Sequence, residues 1–221
     1  MKTIAKAIPG SGSYSSHLQH SRTVMSKARI VLFANTDWYL FNFRLSLALA
    51  LKERGYDLLL LSPPGPHGER LRSMGLRWEP VPMHRRSLNP LREILLLVRL
   101  CHTIGSYKAD LVHGFTIKCA LYGSVVGRLS GCARVSAITG MGYVFTSEDK
   151  MARVLRPFVR AFLRLALGGK RSRVILQNPD DVALVKRAGI ADTETIRLIP
   201  GSGVDCSRFA DRLPKNGAGP K

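Results

Sequence analysis

Four short segments hold the residue types a reactive site needs. His113 is followed at once by Thr116 and Lys118, so an imidazole, a hydroxyl and an ammonium lie within one stretch. A lone histidine serves structure more often than catalysis, yet imidazole is the side chain best suited to handling protons near neutral pH. Asn35, Asp37 and Arg44 stand beside Trp38 and Tyr39, a polar and aromatic mixture suited to sugar rings or lipid head groups. The same residues also fit a plain helix cap at Asp37 with the aromatics packed inward. His84, Arg85 and Arg86 run into Asn89 and Pro90, which sets cations beside a helix start. That makes an anion site at Arg86, while Arg85 reads more simply as a solvated loop cation. Gly140 and Gly142, one residue apart, let the backbone approach a ligand or make a tight turn.

Each of these segments follows a short apolar run. Residues 29–34 read as a buried strand and 40–54 as a helix with a broad apolar face, ended by Gly55. A strand at 57–62, a helix at 69–74 closed by Gly75 and a strand at 77–81 follow. Asn89 and Pro90 open a helix expected to reach about residue 105. Then come a strand at 110–115, a helix at 117–129 and a strand at 134–139. A basic helix at 150–167 carries Pro157 as a point of kinking or restart. Residues 173–177, 180–187 and 195–200 complete the chain as strand, helix and strand. This alternation predicts an α/β fold, a doubly wound Rossmann-like parallel sheet. In such sheets ligands gather beyond the carboxyl ends of the strands, which is where all four segments fall. The loop after the first strand contains no glycine. The G-x-G-x-x-G fingerprint is therefore absent, against a nicotinamide or flavin dehydrogenase, and no cofactor is expected.

Composition narrows the partners. The 34 Lys+Arg outnumber the 15 Asp+Glu for a formal net charge of +19, a field that attracts nucleic acid, anionic bilayers or phosphorylated substrates. The longest apolar runs, 58–61 and 94–98, fall far short of the ~18–20 residues of a spanning helix, so any membrane contact is expected to be peripheral. The four cysteines lack metal-ligand spacing and read as reduced thiols of a cytoplasmic protein, with no metal site. Residues 1–28 are rich in glycine, serine and histidine and contain no acid. They are expected to be a disordered basic extension without a signal peptide, and Met25 is a candidate start.

Residues 150–173 carry eight Lys/Arg and no acid, and Arg153, Arg156, Arg160 and Arg164 recur at helical spacing along one side. With Phe158 and Phe162 in the remainder, this basic amphipathic helix predicts contact with an anionic membrane surface. The bland alternative is a sheet-covering helix with solvated arginines. A nucleic-acid-binding module is compatible with the charge. No helix-turn-helix, RNA-recognition or zinc pattern accompanies it, so no nucleic acid partner is expected.

Taken together, the segments resemble the N-terminal domain of family 4 GT-B glycosyltransferases, in particular bacterial enzymes of polysaccharide and lipid-linked oligosaccharide assembly. The matching pieces are Asn-Thr-Asp-Trp at 35–38, Arg-Leu-Ser-Leu-Ala at 44–48, Arg86 ahead of Asn89 and Pro90, and Asp-Leu-Val-His at 110–113. Further pieces are Thr-Ile-Lys at 116–118, Gly-Met-Gly-Tyr-Val-Phe at 140–145, Gln-Asn-Pro-Asp-Asp at 177–181 and Gly-Ser-Gly-Val-Asp at 201–205. The resemblance implies a domain over 29–205 that holds the acceptor, a lipid-linked or other glycan. The nucleotide-sugar donor is bound mainly by a second domain, and transfer proceeds with retention and without a metal. It implies that His113 lines the cleft near the transferred sugar. Asn35, Asp37, Arg44, Arg86, Thr116, Lys118, Gly140 and Gly142 would then shape the acceptor side. Residues 206–221 read as a linker cut short, so the chain is expected to be inactive without a donor domain, whether from a truncated gene or a split enzyme. A non-catalytic remnant of a transferase stays open as an alternative. The expected location is the cytoplasmic face of the inner membrane.

Overall fold

The computed structural model describes residues 28–84, 89–140 and 150–203, and for residues 150–156 the backbone alone. The strands are β1 (Arg29–Phe33), β2 (Asp57–Ser62), β3 (Arg77–Pro80), β4 (Leu111–Phe115), β5 (Ala133–Ile138), β6 (Ser172–Leu176) and β7 (Ile196–Leu198). The helices are α1 (Asp37–Tyr39), α2 (Leu45–Glu53), α3 (Gly68–Ser73), α4 (Pro90–Tyr107), α5 (Ile117–Leu129), α6 (Lys150–Leu167) and α7 (Pro179–Arg187). A π-helical turn, Leu40–Arg44, joins α1 to α2, and a 3₁₀ turn, Thr193–Thr195, leads into β7.

All seven strands are parallel, in the order β3-β2-β1-β4-β5-β6-β7. The chain builds outward from β1 through β2 to β3, then crosses back through α4 to β4. The sheet therefore reverses direction between β1 and β4, the switch point at which doubly wound folds leave a crevice. Strand pleating sends alternate side chains to opposite faces. Leu58 and Leu60 pack with Leu40, Ala48 and Leu71 beneath α2 and α3, whereas Leu59 and Leu61 pack with Leu96, Leu100 and Ile104 of α4. Right-handed crossovers set α4, α5 and α6 side by side on that second face. Leu163, Ala166 and Leu167 of α6 close the core there over Val174 and Leu176.

Two elements depart from the periodicity. Gly105 does not end α4; the helix runs on to Tyr107 and stops at Lys108, which takes the left-handed conformation at φ 53°. Nothing crowds the Cβ position of Gly105, so this glycine sits on an open helix face and terminates nothing. Asn89 starts the helix as expected, its side-chain oxygen accepting from the amides of Leu91 (3.0 Å) and Arg92 (3.3 Å). The second departure is the single-helix reading of 40–54, whose first five residues form the π turn so that the α-helix starts only at Leu45.

On α6 the inward residues are apolar as expected, but Phe158 and Leu165 are largely exposed and Phe162 partly so, alongside exposed Arg160 and Arg164. No helix among the described residues is long and apolar enough to cross a membrane.

Several cations close helix ends at the amino edge of the sheet. Arg128 donates to the carbonyl of Leu165 (2.9 Å) and Arg134, itself buried, to that of Gly168 (2.8 Å), both at the end of α6. Arg171 donates to the carbonyl of Gly131 just past α5 (2.6 Å), and Lys52 to that of Gly75 just past α3 (2.7 Å). These carbonyls lack intrahelical partners, and a cation there also opposes the helix dipole.

Candidate functional site

The crevice between β1 and β4 is built from the bottom of each loop upward. Leu32 of β1 lies beside His113 of β4 in the ladder. Beyond β1, Thr36 caps α1 by accepting from the amide of Tyr39 (3.0 Å). The π turn then brings Arg44 beneath Tyr39, because an i→i+5 turn aligns residues five apart. Arg44 donates through Nη2 to the Tyr39 hydroxyl at 2.9 Å. Its guanidinium also lies over the Phe115 ring, 4.4 Å from the centroid. His113 stacks on the same ring from its own strand face, at 4.1 Å between centroids. Phe115 thus contacts both an imidazole and a guanidinium.

Two buried polar atoms in this cluster have no hydrogen-bond partner, Nε2 of His113 and Nε of Arg44. Four further buried side-chain polar atoms among the described residues also lack a partner, on His67, Tyr107, Arg134 and Ser172; what sets this pair apart is that both lie against Phe115 at a strand-end position. Burial pushes the His113 pKa down to about 3, and the charge of Arg44 adds to the effect. The imidazole is therefore neutral at physiological pH. In that state it donates from one nitrogen and accepts at the other, so it can fix a sugar hydroxyl. It is too weak a base to shuttle protons near pH 7.

The turn leaving β4 is strained. Thr116 sits at φ 67°, ψ 158°, a region occupied almost only by glycine and costing about 1–3 kcal/mol for other residues. The cause lies at Gly114. A Cβ there would strike the Cys119 carbonyl and the Ala120 Cα, so the first turn of α5 is clamped against β4 and Thr116 must absorb the sharp exit. The Thr116 amide still finds the Ala137 carbonyl at 3.0 Å. The strained residue stands at the N-terminus of α5, three positions after His113.

Two residues expected on the acceptor side have other work. The Asp37 carboxylate is buried and accepts from the amides of His67 (2.6 Å), Gly68 (3.0 Å) and Trp38 (2.8 Å). It anchors the β1 loop to the start of α3, and Gly65 leaves the room, since a Cβ at that position would land on the carboxylate. Lys118 bonds to Glu93 Oε1 at 2.9 Å and to the His84 carbonyl at 2.8 Å, while Tyr122 donates to Glu93 Oε2 at 2.6 Å. The pair is largely shielded from solvent and braces α5 against α4. Polar partners from distant segments hold each of these two residues, which gives both a bracing role.

Asn35 lies half-buried at the end of β1, and Gly140 half-buried after β5 with open space at its Cβ position. Arg86 and Gly142 lie outside the described residues, as do the side chains of Arg153 and Arg156. Phe115 was not singled out from the sequence. Its signal was there, in the period-two spacing that puts it on the same strand face as His113. A cavity of about 880 Å³ lies at the amino edge beside Thr193, lined by Lys170, Arg173, Glu194 and Arg197. Arg173 and Arg197 already donate to backbone carbonyls there, so it offers nothing like the unmatched pair at the switch point.

Comparison with known proteins gives a consistent picture. Residues 29–178 match the family model described as glycosyl transferase 4-like. A curated relative is the N,N'-diacetylbacillosaminyl-diphospho-undecaprenol α-1,3-N-acetylgalactosaminyltransferase of Campylobacter jejuni. It is 19% identical over 182 residues, covering 82% of this chain and 48% of the relative. Among solved structures, a glycosyltransferase from Rickettsia africae superposes with a TM-score of 0.61 at 18% identity, over 86% of this chain and 47% of its own. The Anabaena protein HepE, solved with UDP and glucose, gives 0.54 at 15% identity, over 81% and 46%. The chain spans about half the length of the relatives it matches.

Proposed function

The chain belongs to the glycosyl transferase 4-like family, and from that premise we propose that it is the acceptor-side half of a retaining transferase moving a sugar from a nucleotide-sugar to a lipid-linked glycan at a membrane face. The observation that carries this reading is the unmatched pair, His113 Nε2 and Arg44 Nε, both on residues that contact Phe115 at the β1–β4 switch point. A neutral imidazole suits a hydroxyl of the sugar, and a guanidinium held flat on an aromatic ring suits an anionic or hydroxyl-rich neighbour. Gly140 extends the acceptor side along the same edge, with Asn35 at its inner end; Arg86 and Gly142 are assigned to the acceptor by the family resemblance alone. The names of the Campylobacter relative and the HepE complex support a polyprenyl-diphosphate-linked acceptor and a nucleotide-sugar donor, respectively.

Transfer itself requires the donor-binding half. The sugar-nucleotide bond breaks with charge developing on the leaving diphosphate, and preorganised groups facing that charge supply the largest share of catalysis. We place those groups across the cleft from His113. The arginines of α6 hold this half at an anionic bilayer, where its acceptor resides.

The test is calorimetric titration of the chain with a water-soluble polyprenyl-diphosphate-sugar analogue. His113→Ala and Arg44→Ala each weaken binding tenfold or more while the circular dichroism spectrum is kept. Wild-type affinity in both variants refutes the site. Joined to a donor half, His113→Ala lowers turnover by at least an order of magnitude.

A further inference from the structure

Helix α4 is apolar on two opposite sides. Leu96, Leu100, Ile104 and Tyr107 face the sheet and are buried. Leu91, Ile94, Leu95 and Val98, spaced i, i+3, i+4 and i+7, point the other way and are 72, 56, 69 and 61% exposed. A helix that is apolar all round belongs in apolar surroundings, and no described residue covers this outer stripe. Four adjacent branched aliphatic side chains left in water are an interaction surface, not background exposure.

Charge identifies the occupant. Arg92 and Arg99 flank the stripe and are exposed. Glu93 is the single acid in α4, α5 and α6 together, against nine lysines and arginines, and it is turned away from this surface into its bonds with Lys118 and Tyr122. Two copies docking here about a twofold axis would press one cationic surface onto another. An anionic bilayer matches both parts, its head groups meeting the guanidiniums and its acyl layer the leucines. The same sheet face carries α6 beyond α5, where Phe158, Phe162 and Leu165 are exposed with Arg160 and Arg164. Both helices thus offer the same chemistry on one side of the molecule.

We propose that Leu91, Ile94, Leu95 and Val98 form the membrane-inserting element of this domain, with the arginine side of α6 as a second, electrostatic contact. The inference rests on the membrane-facing reading above but moves insertion to a different helix. Because α4 starts at the carboxyl edge of the sheet, insertion there sets the bilayer surface next to the crevice that holds His113.

The experiment is co-sedimentation of the full chain with phosphatidylcholine vesicles containing anionic phosphatidylglycerol, together with bromolipid quenching. The double variant Leu91→Ser/Leu95→Ser is expected to lose at least tenfold in partitioning. Arg160→Gln/Arg164→Gln loses less, with its loss fading as salt rises. Fluorescence of Leu95→Trp, above the background of Trp38 and Trp78, is expected to be quenched by bromine on the acyl chains. If the arginine variant weakens binding while the leucine variant does not and the introduced indole is unquenched, insertion by α4 is wrong and the α6 reading stands. If no form binds vesicles, both fall. A concentration-dependent dimer without vesicles, abolished by the leucine variant and unaccompanied by quenching, makes a second copy the occupant and overturns the proposal.

Discussion

Replacing His113 by Gln should flatten the dependence of stability on pH. In the folded protein, burial and the neighbouring Arg44 charge hold the His113 pKa near 3, against an ordinary value of 6.5. Between those values the unfolded chain binds one proton more than the folded one, so stability falls as pH drops below 6.5, by about 1.4 kcal/mol per pH unit. Relative to pH 8, His113 therefore costs about 2 kcal/mol at pH 5. That figure barely changes if the folded value is a unit higher, because pH 5 still lies above it. Urea unfolding of wild type and His113→Gln at pH 8 and pH 5 measures the effect. Every other titrating group is common to both proteins and cancels in the double difference. The wild type should lose about 2 kcal/mol more than the variant over that interval. An equal loss in both proteins means that the imidazole is solvated enough to take up its proton, and the neutral, hydroxyl-holding role fails with it.

Asp37→Asn weakens charge-assisted bonds to the amides of His67 and Gly68 and should cost about 1.5–3 kcal/mol, with acceptor binding by the folded fraction unchanged; a thermal melt and a titration separate the two readouts. Lys118→Met takes the ammonium away from the shielded Glu93 carboxylate, and is expected to destabilise by about 2–3 kcal/mol in urea. Unchanged stability with lost binding would return Lys118 to the ligand. Gly114→Ala drives a Cβ into the Cys119 carbonyl, and should lower stability by about 3 kcal/mol or prevent soluble expression.

The sheet was legible in the sequence because parallel strands buried on both faces read as near-continuous apolar runs. Residues 57–62 and the helices at 117–129 and 150–167 match the structure to the residue. The rule that ligands collect beyond strand ends pointed to His113 and Arg44, which the fold brings to one ring, Phe115. The bracing partners of Asp37 and Lys118 were not legible because they lie thirty and twenty-five residues away, in a loop and a helix whose proximity only the fold creates. The π turn carries no glycine or proline to announce it. Thr116 is the residue least expected at positive φ, since β-branching normally forbids it; its conformation is dictated by Gly114, not by its own type. Composition hinted at a membrane surface, but helical spacing alone could not tell that the outer side of α4 would stay uncovered.

The cations that close the helix ends have a consequence for the field around the molecule. In this topology α4, α5 and α6 all begin at the carboxyl edge and finish at the amino edge of the sheet. Their dipoles add, positive pole toward the crevice. At the opposite pole Arg128 and Arg134 sit on carbonyls at the end of α6 and Arg171 on one just past α5, opposing those negative ends. What remains is an unbalanced magnet, with one pole damped at α5 and α6 and the other open. The positive helix ends along the crevice edge, where His113 and Arg44 lie, are left uncompensated and favour negative charge there.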